Sequence, residues 1–445
     1  MSVKNLALRT KPIKRVLHLG YRMKKERECN NAFRNRLKDI KGTDVRIRNR
    51  FNVIIVVADC MRFKNTSLNN YDRDTTPFLN SLPIKGKAVS AAPWTHPSVA
   101  SIMTGMYPHN HGAYIHSKLR NFDNPRNIKG IRRRYLTIPE ISALNGYDVY
   151  FATSTDVASF PMKGRSPVKI YPGETRGITL VNDFLRWAKK EKNKNFFAYI
   201  HLGDTHEPLN PPKEFRNYFG EVENMPNIER WAFQRIEEQK GKEFEKFKKN
   251  KILLYDNIIR YVDWLFEELY NGLEKIGLLK DTILIFTADH GEEFWEHSKL
   301  EAKYFYDPRE IYGVGHGHNV FNEIIEVPLA IEGPIEKVKI KGRSLVDVFS
   351  TIMDLWEVEL PYKTDGRSLL KRPKKFILSE ATGYGYEKKA FIVKDWKLLY
   401  APDDKVEWLF SLDRDKHELN PIKDADVIKP FKERLLSILA RDEIF

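Results

Sequence analysis

The sequence predicts an α/β protein built on a large, mainly parallel sheet with helices on both faces. Continuous apolar runs of strand length occur at 51–58, 194–202, 281–288 and 327–332. Such runs are typical of strands that are buried on both faces of a sheet. Long helical patterns lie between them, the clearest at 252–279. This alternation of strand and helix is the pattern that a parallel sheet requires.

The pattern changes after about residue 345. Short strand-like pieces joined by turns occupy 375–380, 389–394, 396–401 and 406–412, and a helical segment over 427–440 follows. This predicts a small C-terminal antiparallel sheet plus a helix. We therefore expect a basic extension at 1–50, a catalytic α/β domain at 51–345 and an α+β subdomain at 346–445. Within the α/β domain, the polar stretch 207–250 predicts an insertion or lid over the substrate, or equally a solvated excursion.

The net charge of +15 is concentrated at the N-terminus. Residues 1–50 contain 16 Lys and Arg against four Asp and Glu, so the rest of the chain is close to neutral. A basic extension of this kind can bind an anionic membrane surface or nucleic acid. The alternative is a solvated extension that packs on the body of the protein.

The sequence offers no disulfide framework and no transmembrane segment. Its two cysteines, Cys29 and Cys60, favour a reducing compartment. No apolar run approaches the roughly 20 residues that a membrane-spanning helix needs. The basic start is not followed by an apolar stretch and a cleavage site, so we predict no signal peptide. We expect a cytoplasmic protein, free or peripherally attached to a membrane.

Polar residues follow three of the predicted strands directly. Asp59 follows the first, Asp204 and His206 the second, and Asp289 and His290 the third. In open α/β sheets, ligands bind at the carboxyl ends of the strands. These acids and imidazoles are therefore predicted to meet at one edge of the sheet.

A hydroxyl group stands where a loop is predicted to enter a helix. Thr95 precedes Pro97 and a run of small and apolar residues, and Pro is tolerated in the first turn of a helix. Unpaired N–H groups and the helix dipole make this position suitable for a nucleophile that attacks an anionic ester. The alternative is an ordinary core helix that begins with Pro.

The segment with Thr95, Pro97, Ser98 and Thr104-Gly105 resembles the nucleophile segment of the sulfatase branch of the alkaline phosphatase superfamily. Two further segments agree. The stretch from Asp289 to Glu292 resembles the metal segment of that family, and Asp59 matches its first metal aspartate. The stretch 395–421 resembles the family's C-terminal ending, so the resemblance covers about residues 51–425.

The resemblance implies one divalent metal ion. Asp59, Thr95, Asp289 and His290 together look like the single-metal site of the threonine-nucleophile phosphoglycerol transferases. A ligand set of oxygen and nitrogen favours manganese or zinc over calcium or magnesium. A bound divalent cation would activate the threonine hydroxyl and neutralise charge on an anionic ester substrate.

Histidines complete the predicted site. His206 matches the family imidazole that contacts the ester group, and His318 or His316 would protonate the leaving oxygen or hold the anion. An ordinary histidine pKa of roughly 6.5 suits proton transfer near neutrality. Each could instead be a structural hydrogen-bonding residue, as could His111 and His297.

The sequence departs from ordinary sulfatases in ways that bear on the substrate. Threonine replaces the Cys or Ser that is oxidised in sulfatases, Val99 replaces an arginine, and Ala58 replaces the first of two acids. The sulfate-holding Gly-Lys-x-His segment has no counterpart in 145–153. We therefore favour transfer of a phosphoryl group or hydrolysis of a phosphodiester through an unmodified threonine. The alternatives are sulfate ester hydrolysis, an inactive protein that binds anionic surfaces and, less favoured, a mutase.

Overall fold

A computed structural model describes residues 3–123 and 127–442, with side chains from residue 20 to residue 440 apart from residue 21. The first two residues of the basic extension lie outside this range, as do the side chains of most of its first half. The strands are Asn52–Ala58 (β1), Ile84–Val89 (β2), Arg120–Asn121 (β3), Asp148–Thr153 (β4), Lys169–Ile170 (β5), Phe196–Leu202 (β6), Thr282–Ala288 (β7), Glu293–Phe294 (β8), Val314–Gly315 (β9), Glu326–Glu332 (β10), Arg343–Ser344 (β11), Ile377–Ser379 (β12), Tyr384–Gly385 (β13), Lys389–Val393 (β14), Trp396–Ala401 (β15) and Val406–Ser411 (β16). The α-helices are Val3–Asp39 (α1), Pro77–Ser81 (α2), Thr95–Thr104 (α3), Pro108–His111 (α4), Ile138–Leu144 (α5), Asp156–Ser159 (α6), Gly177–Glu191 (α7), Lys213–Arg216 (α8), Gly241–Lys275 (α9), Ser298–Tyr304 (α10), Asn322–Ile325 (α11), Val346–Leu355 (α12) and Ala425–Asp442 (α13).

Eight strands form the main sheet, in the order β11-β2-β10-β7-β1-β6-β4-β5. The central strand β1 pairs in parallel with β6 on one side and β7 on the other. Strand β10 is antiparallel to both of its neighbours, β7 and β2. All residues of β1, β6 and β7 are buried, as their continuous apolar sequences predict. The large, mainly parallel sheet flanked by helices is thus confirmed.

Four strands of this sheet escaped the sequence analysis, namely β2, β4 and the two-residue strands β5 and β11. Strand β2 contains Lys85 and Lys87, which lie at partly or fully exposed positions, so it carries no continuous apolar run. Strand β4 begins with the partly exposed Asp148 and becomes fully buried only from Tyr150 onward. Both strands are recognisable only from their pairing with longer strands.

Helix α9 is longer than the predicted helix and begins inside the predicted insertion. It starts at Gly241 because Phe244 and Phe247 already pack into the main core. The rest of 207–240 contains α8, which packs against α9, and mostly irregular segments. A role for this stretch as a lid stays a prediction.

The C-terminal part contains a four-stranded antiparallel sheet, in the order β12-β14-β15-β16, and helix α13. This confirms the predicted small sheet with its helix. Helix α12, however, packs in the main core, where Phe349 contacts the backbone turn at Gly105. The division into domains at residue 345 stays a prediction.

The basic extension forms helix α1, and the described side chains of its second half pack on the body. Cys29 and Phe33 are buried. The carboxylate of Glu26 accepts a hydrogen bond from the backbone N–H of Ile170 at 2.6 Å. This part of the chain therefore follows the alternative given above, that of a packed extension. Binding of a membrane surface or nucleic acid by residues 1–50 stays a prediction.

Two further sequence expectations concern compartment and membrane. Cys29 and Cys60 are both buried free thiols. Over the ranges 3–123 and 127–442, no helix is both long and apolar enough to cross a bilayer. The cytoplasmic location stays a prediction.

Glu140 anchors the basic extension, and its removal should destabilise the protein. Its buried carboxylate accepts hydrogen bonds from Arg36 Nε at 2.7 Å and Arg165 Nη1 at 3.0 Å. We expect Glu140→Gln to lower the free energy of unfolding by roughly 3 kcal/mol, the typical cost of leaving a buried charge unpaired. Urea unfolding measures this. Glu191→Gln, which breaks an exposed pair with Lys194, is the control and should leave the midpoint unchanged; equal effects of the two variants would contradict the buried anchor.

Candidate active site

The carboxyl ends of β1, β6 and β7 bring the predicted polar residues together. Asp59 follows β1 directly, Asp289 and His290 follow β7, and the register places His201 of β6 beside Val57 of β1. Asp204 takes no part, because its carboxylate accepts the backbone N–H of Gly177 at the start of α7. The sheet edge therefore gathers the residues of strand ends that are more than 80 residues apart in the chain.

Within the part of the chain that the structure describes, three buried polar atoms at this edge find no hydrogen-bond partner: Asp59 Oδ2, Asp289 Oδ2 and His201 Nε2. All three side chains are fully buried. His201 Nε2 lies 3.3 Å from Asp59 Oδ2 and 3.8 Å from Asp289 Oδ2, outside hydrogen-bonding geometry. Buried polar atoms without partners are costly, and two carboxylates with an imidazole form a donor set for a divalent cation. The residues present therefore fit the predicted metal.

Thr95 and His290 lie against this group. Thr95 Oγ1 lies 3.2 Å from His290 Nε2, which in turn lies 3.4 Å from Asp289 Oδ2 and 3.5 Å from Asp59 Oδ1. Thr95 is the first residue of α3, so its hydroxyl stands at the N-terminal end of a helix as the sequence predicts. The four predicted metal ligands thus lie together in the structure; their role as ligands stays a prediction.

Local backbone packing places these groups. A Cβ atom on Gly291 would overlap the carbonyl oxygen of Glu323, so only glycine permits this close approach after His290. Cys60, directly after Asp59, has a φ of 62°, in the left-handed region that non-glycine residues rarely adopt. The Tyr255 hydroxyl donates a hydrogen bond to the carbonyl oxygen of Cys60 at 2.5 Å and holds this turn.

Four imidazoles face the site with the same orientation: each has its Nδ1 engaged by a neighbour and its Nε2 directed elsewhere. The pairs are His201 Nδ1 with Tyr199 Oη at 2.8 Å, His206 Nδ1 with Glu207 O at 2.8 Å, His290 Nδ1 with Gly291 O at 2.9 Å and His316 Nδ1 with Glu292 Oε1 at 2.9 Å. Because a carbonyl oxygen only accepts, the Nδ1 atoms of His206 and His290 carry hydrogen. Such contacts fix the tautomer of imidazoles that bind metals or substrates through Nε2.

His206 and His316 form the partly exposed rim of the site. Their rings lie 5.4 Å apart between centroids, and the His316 ring lies 4.3 Å from that of His290. Nδ1 of His316 also lies 3.5 Å from Cys60 Sγ. Both histidines are thus brought to the predicted site, and their contact with substrate stays a prediction.

The charge of the site is set by carboxylates and histidines. Among the described residues, the ion-pair partners of Asp59, Asp289 and Glu292 are all histidines. Burial raises the pKa of Asp289, and it raises the pKa of Glu292 to about 7. Three acids in one buried space repel each other, and a cation would relieve this repulsion.

His318 lies in an adjoining buried cluster with His297. Its Nε2 lies 3.2 Å from Glu293 Oε2 and 3.1 Å from Glu301 Oε1, and His297 Nδ1 lies 3.0 Å from Glu293 Oε1. Burial opposes charge on both imidazoles, but these carboxylates outweigh it and raise the pKa of each to about 10. The arrangement favours an ion-pairing role for His318, as considered above; proton transfer from it stays a prediction.

Because of this cluster, the free energy of unfolding should depend on pH in the alkaline range. A histidine whose folded pKa exceeds its ordinary 6.5 stabilises the protein fully below that pH, and the contribution is lost as pH rises through about 10. We expect the free energy of unfolding to fall by roughly 3 kcal/mol over this interval, the cost of one broken buried pair. Urea unfolding at several pH values measures it. The neutral double variant Glu293→Gln/His297→Gln should show a shallower pH dependence, and an unchanged slope would contradict the assignment.

His111 also has a structural environment, since its Nε2 lies 3.0 Å from Ser101 Oγ within the core. Sequence reasoning gave no role to His201, Glu292 or Cys60. The sequence signal that could have identified His201 is a histidine near the end of an otherwise apolar strand. For Glu292 it is the acid that ends the stretch from Asp289 to Glu292, which resembles the family's metal segment.

Comparisons with known proteins agree with this geometry. The family model named Sulfatase matches residues 51–358. Arylsulfatase K from Bos taurus is 24% identical over 87% of this chain and 81% of its own length. An arylsulfatase from Clostridium perfringens is 23% identical over 88% of this chain and 94% of its own. The structure of a phosphonate monoester hydrolase from Agrobacterium radiobacter aligns with a TM-score of 0.63 at 17% identity, over 88% of this chain and 96% of that one.

The family match covers the strands and loops that carry Asp59, Thr95, His201 and Asp289. It begins just after the basic extension and ends within the segment that follows α12. The chain therefore belongs to the sulfatase family, the ester hydrolases of the alkaline phosphatase superfamily.

Proposed function

We propose that Thr95 Oγ1 attacks the phosphorus or sulfur atom of an anionic ester, in a metal-dependent hydrolase or transferase reaction. The observation that carries this proposal is the set of three unpartnered buried atoms, on Asp59, Asp289 and His201, beside the hydroxyl at the start of α3. A hydroxyl group, unpaired carboxylate and imidazole donors and a helix N-terminus converge there, which supports nucleophilic attack on an anionic ester.

Asp59, Asp289 and His290 would hold one divalent cation together with Thr95, and His201 is a further donor that the sequence analysis did not include. The mixed oxygen and nitrogen donors favour manganese or zinc over calcium or magnesium. When bound, the cation would lower the pKa of the Thr95 hydroxyl and neutralise negative charge on the ester.

The bond-making step and the protonation of the leaving oxygen would be carried out by side chains of this protein. Thr95 Oγ1 lies 3.2 Å from His290 Nε2, which would hold the cation beside it. The hydroxyl proton would leave to water before attack, as the lowered pKa allows. Attack forms a bond from Thr95 Oγ1 to phosphorus or sulfur and breaks the ester bond. The leaving oxygen takes a proton from the Nε2 of His206, because the negative charge of Asp59 outweighs burial and raises the pKa of that imidazole. Water or an acceptor alcohol then cleaves the bond to Thr95 and completes hydrolysis or transfer.

The charge of the site favours a substrate with a single negative charge. Asp59, Asp289 and Glu292 are buried together, and the site's ion pairs come from histidines rather than from the arginine that Val99 replaces. A dianionic phosphate monoester would meet more repulsion here than a phosphodiester, which carries one charge. We therefore favour phosphodiesters. The alignment with a phosphonate monoester hydrolase is compatible with this choice.

Sulfate esters are the second candidate. They also carry one charge, and the two curated relatives reported above are arylsulfatases. The absence of a cysteine or serine at position 95 separates this chain from the formylglycine chemistry of ordinary sulfatases, so a sulfate ester would be attacked by unmodified threonine.

A comparison of three chromogenic esters tests the proposal. With manganese or zinc present, we expect bis(4-nitrophenyl) phosphate to be hydrolysed with a kcat/KM at least tenfold above that of 4-nitrophenyl phosphate. A higher value for 4-nitrophenyl sulfate would assign the second candidate. Preference for the monoester dianion would contradict the charge argument. No turnover of any of the three, with no metal bound, would support the inactive alternative.

A further inference from the structure

A cavity of about 680 Å³ lies between the N-terminal helix and the catalytic body, apart from the site described above. One wall is formed by residues of α1 between Lys24 and Cys29, the others by residues within 128–131 and 159–165, and His96 also lines the cavity. Its volume is in the range of pockets that hold small organic ligands. The α1 wall precedes residue 51, where the family match begins, so this wall lies outside the matched residues.

The cavity is positively charged. Five cationic side chains line it against the single carboxylate of Glu28. Two of the five are neutralised, because Lys25 lies 3.5 Å from Asp156 and Arg165 lies 3.0 Å from Glu140. Among the described side chains, the other three form no ion pair: Lys24, Lys129 and Lys163. Three uncompensated ammonium groups around one space favour an anionic occupant.

His96 adds a second, independent requirement. The side chain is 2% exposed, and its Nε2 lies 2.8 Å from the carbonyl oxygen of Lys129, so Nε2 carries the hydrogen. With its hydrogen on Nε2, the ring presents Nδ1 as an acceptor. Among the described residues, no group donates a hydrogen bond to this buried Nδ1. Since an unpaired buried acceptor is costly and His96 lines the cavity, a ligand with a donor group would be favoured there.

The remaining wall is apolar. Phe160, Pro161, Ile128 and Ile131 line the cavity beside the lysines. A free inorganic anion would leave these surfaces and the His96 acceptor uncovered, whereas an organic anion with a hydroxyl or amino donor would satisfy all three features.

We propose that this cavity is a second ligand site, which binds an organic anion, a phosphate or sulfate ester that also carries a hydrogen-bond donor. The site does not depend on Thr95 being the nucleophile. Its occupant is either an ester of the class that the active site processes or an unrelated organic phosphate, since the two share the chemistry that the lysines recognise.

The fluorescent probe 8-anilino-1-naphthalenesulfonate tests the site in the full-length protein, because it combines an anion, apolar rings and an N–H donor. We expect saturable binding to the wild type, and a Kd at least tenfold higher in Lys129→Glu/Lys163→Glu. The control Lys192→Glu/Lys249→Glu makes the same change of charge at residues that do not line the cavity and should bind within twofold of the wild type. Equal binding by the two double variants, or no saturable binding by the wild type, would overturn the proposal.

Displacement of the probe then identifies the source of the ligand. The Thr95→Ala variant is titrated with 4-nitrocatechol sulfate, an aryl sulfate with a hydroxyl donor, in one arm and with glycerol 3-phosphate in the other. Displacement by the aryl sulfate alone assigns the cavity to esters of the active-site class, and displacement by glycerol 3-phosphate assigns it to organic phosphates. If neither competes, the proposed ester ligand is wrong. Activity at Thr95 is measured separately, so failure here does not bear on the proposed function.

Discussion

Thr95→Ala should lower kcat by at least about a thousandfold for whichever nitrophenyl ester the wild type hydrolyses. The hydroxyl is the proposed attacking atom, and losses of this size follow removal of a nucleophile whose partners remain in place. The substitution removes a single hydroxyl and methyl group from a side chain that is 4% exposed, so the fold should persist. Steady-state kinetics with manganese or zinc present measure the loss, and circular dichroism checks the fold.

The same helix provides a matched control. Thr104 is the last residue of α3 and is also buried, but its hydroxyl donates a hydrogen bond to the carbonyl oxygen of Ala100 at 2.7 Å. Thr104→Ala therefore makes the same chemical change away from the sheet edge, and it should retain kcat within a few-fold. Thr95→Ser keeps a hydroxyl and should retain part of the activity. If Thr95→Ala kept more than about a tenth of wild-type kcat, another group would be the nucleophile.

The central strands of the sheet could be predicted because a strand that is buried on both faces has a continuous apolar sequence. Strands β1, β6 and β7 are continuous apolar runs, and each is found within two residues of its predicted bounds. The polar residue after each strand could then be assigned to one edge by the rule for open sheets. This reasoning was sufficient to group Asp59, Asp289 and His290.

The same reasoning could not distinguish His201 from an ordinary histidine of the core. A histidine inside a buried strand is more often a satisfied core residue, and its local sequence does not show whether Nε2 has a partner. Only the parallel pairing of β6 with β1 brings His201 beside Asp59. The role of such a residue depends on contacts between segments separated by more than 100 residues.

The sequence also could not decide which of His316 and His318 faces the site. The two histidines are two residues apart, and Glu292 and Glu293 are consecutive, yet each histidine pairs with a different acid. Glu292 holds His316 at the rim beside His290, whereas Glu293 holds His318 in the adjoining cluster. Which histidine faces the site is decided by side-chain direction at β8 and β9, and the sequence motif contains both.

A divalent cation should stabilise the protein, and this effect should depend on Asp289. In the absence of metal, the unpartnered carboxylate oxygens of Asp59 and Asp289 share one buried space. A cation that binds only the folded state, at a free concentration of a hundred times its Kd, adds about 2.7 kcal/mol to the free energy of unfolding. We expect manganese or zinc to raise Tm more than calcium or magnesium does, with one ion bound per chain by elemental analysis.

Asp289→Asn separates metal binding from general destabilisation because its effect should reverse with conditions. In chelator, the variant should be at least as stable as the wild type, since it removes one of two like charges and keeps the Oδ1 that accepts the N–H of His290 at 3.0 Å. With metal, the wild type gains stability and the variant does not. Asp263→Asn, which changes a buried carboxyl that accepts two backbone N–H groups of α2, should keep the metal-induced rise in Tm. A wild type that shows no rise with any of the four ions would contradict the metal site, because the buried charges would then have no compensating cation.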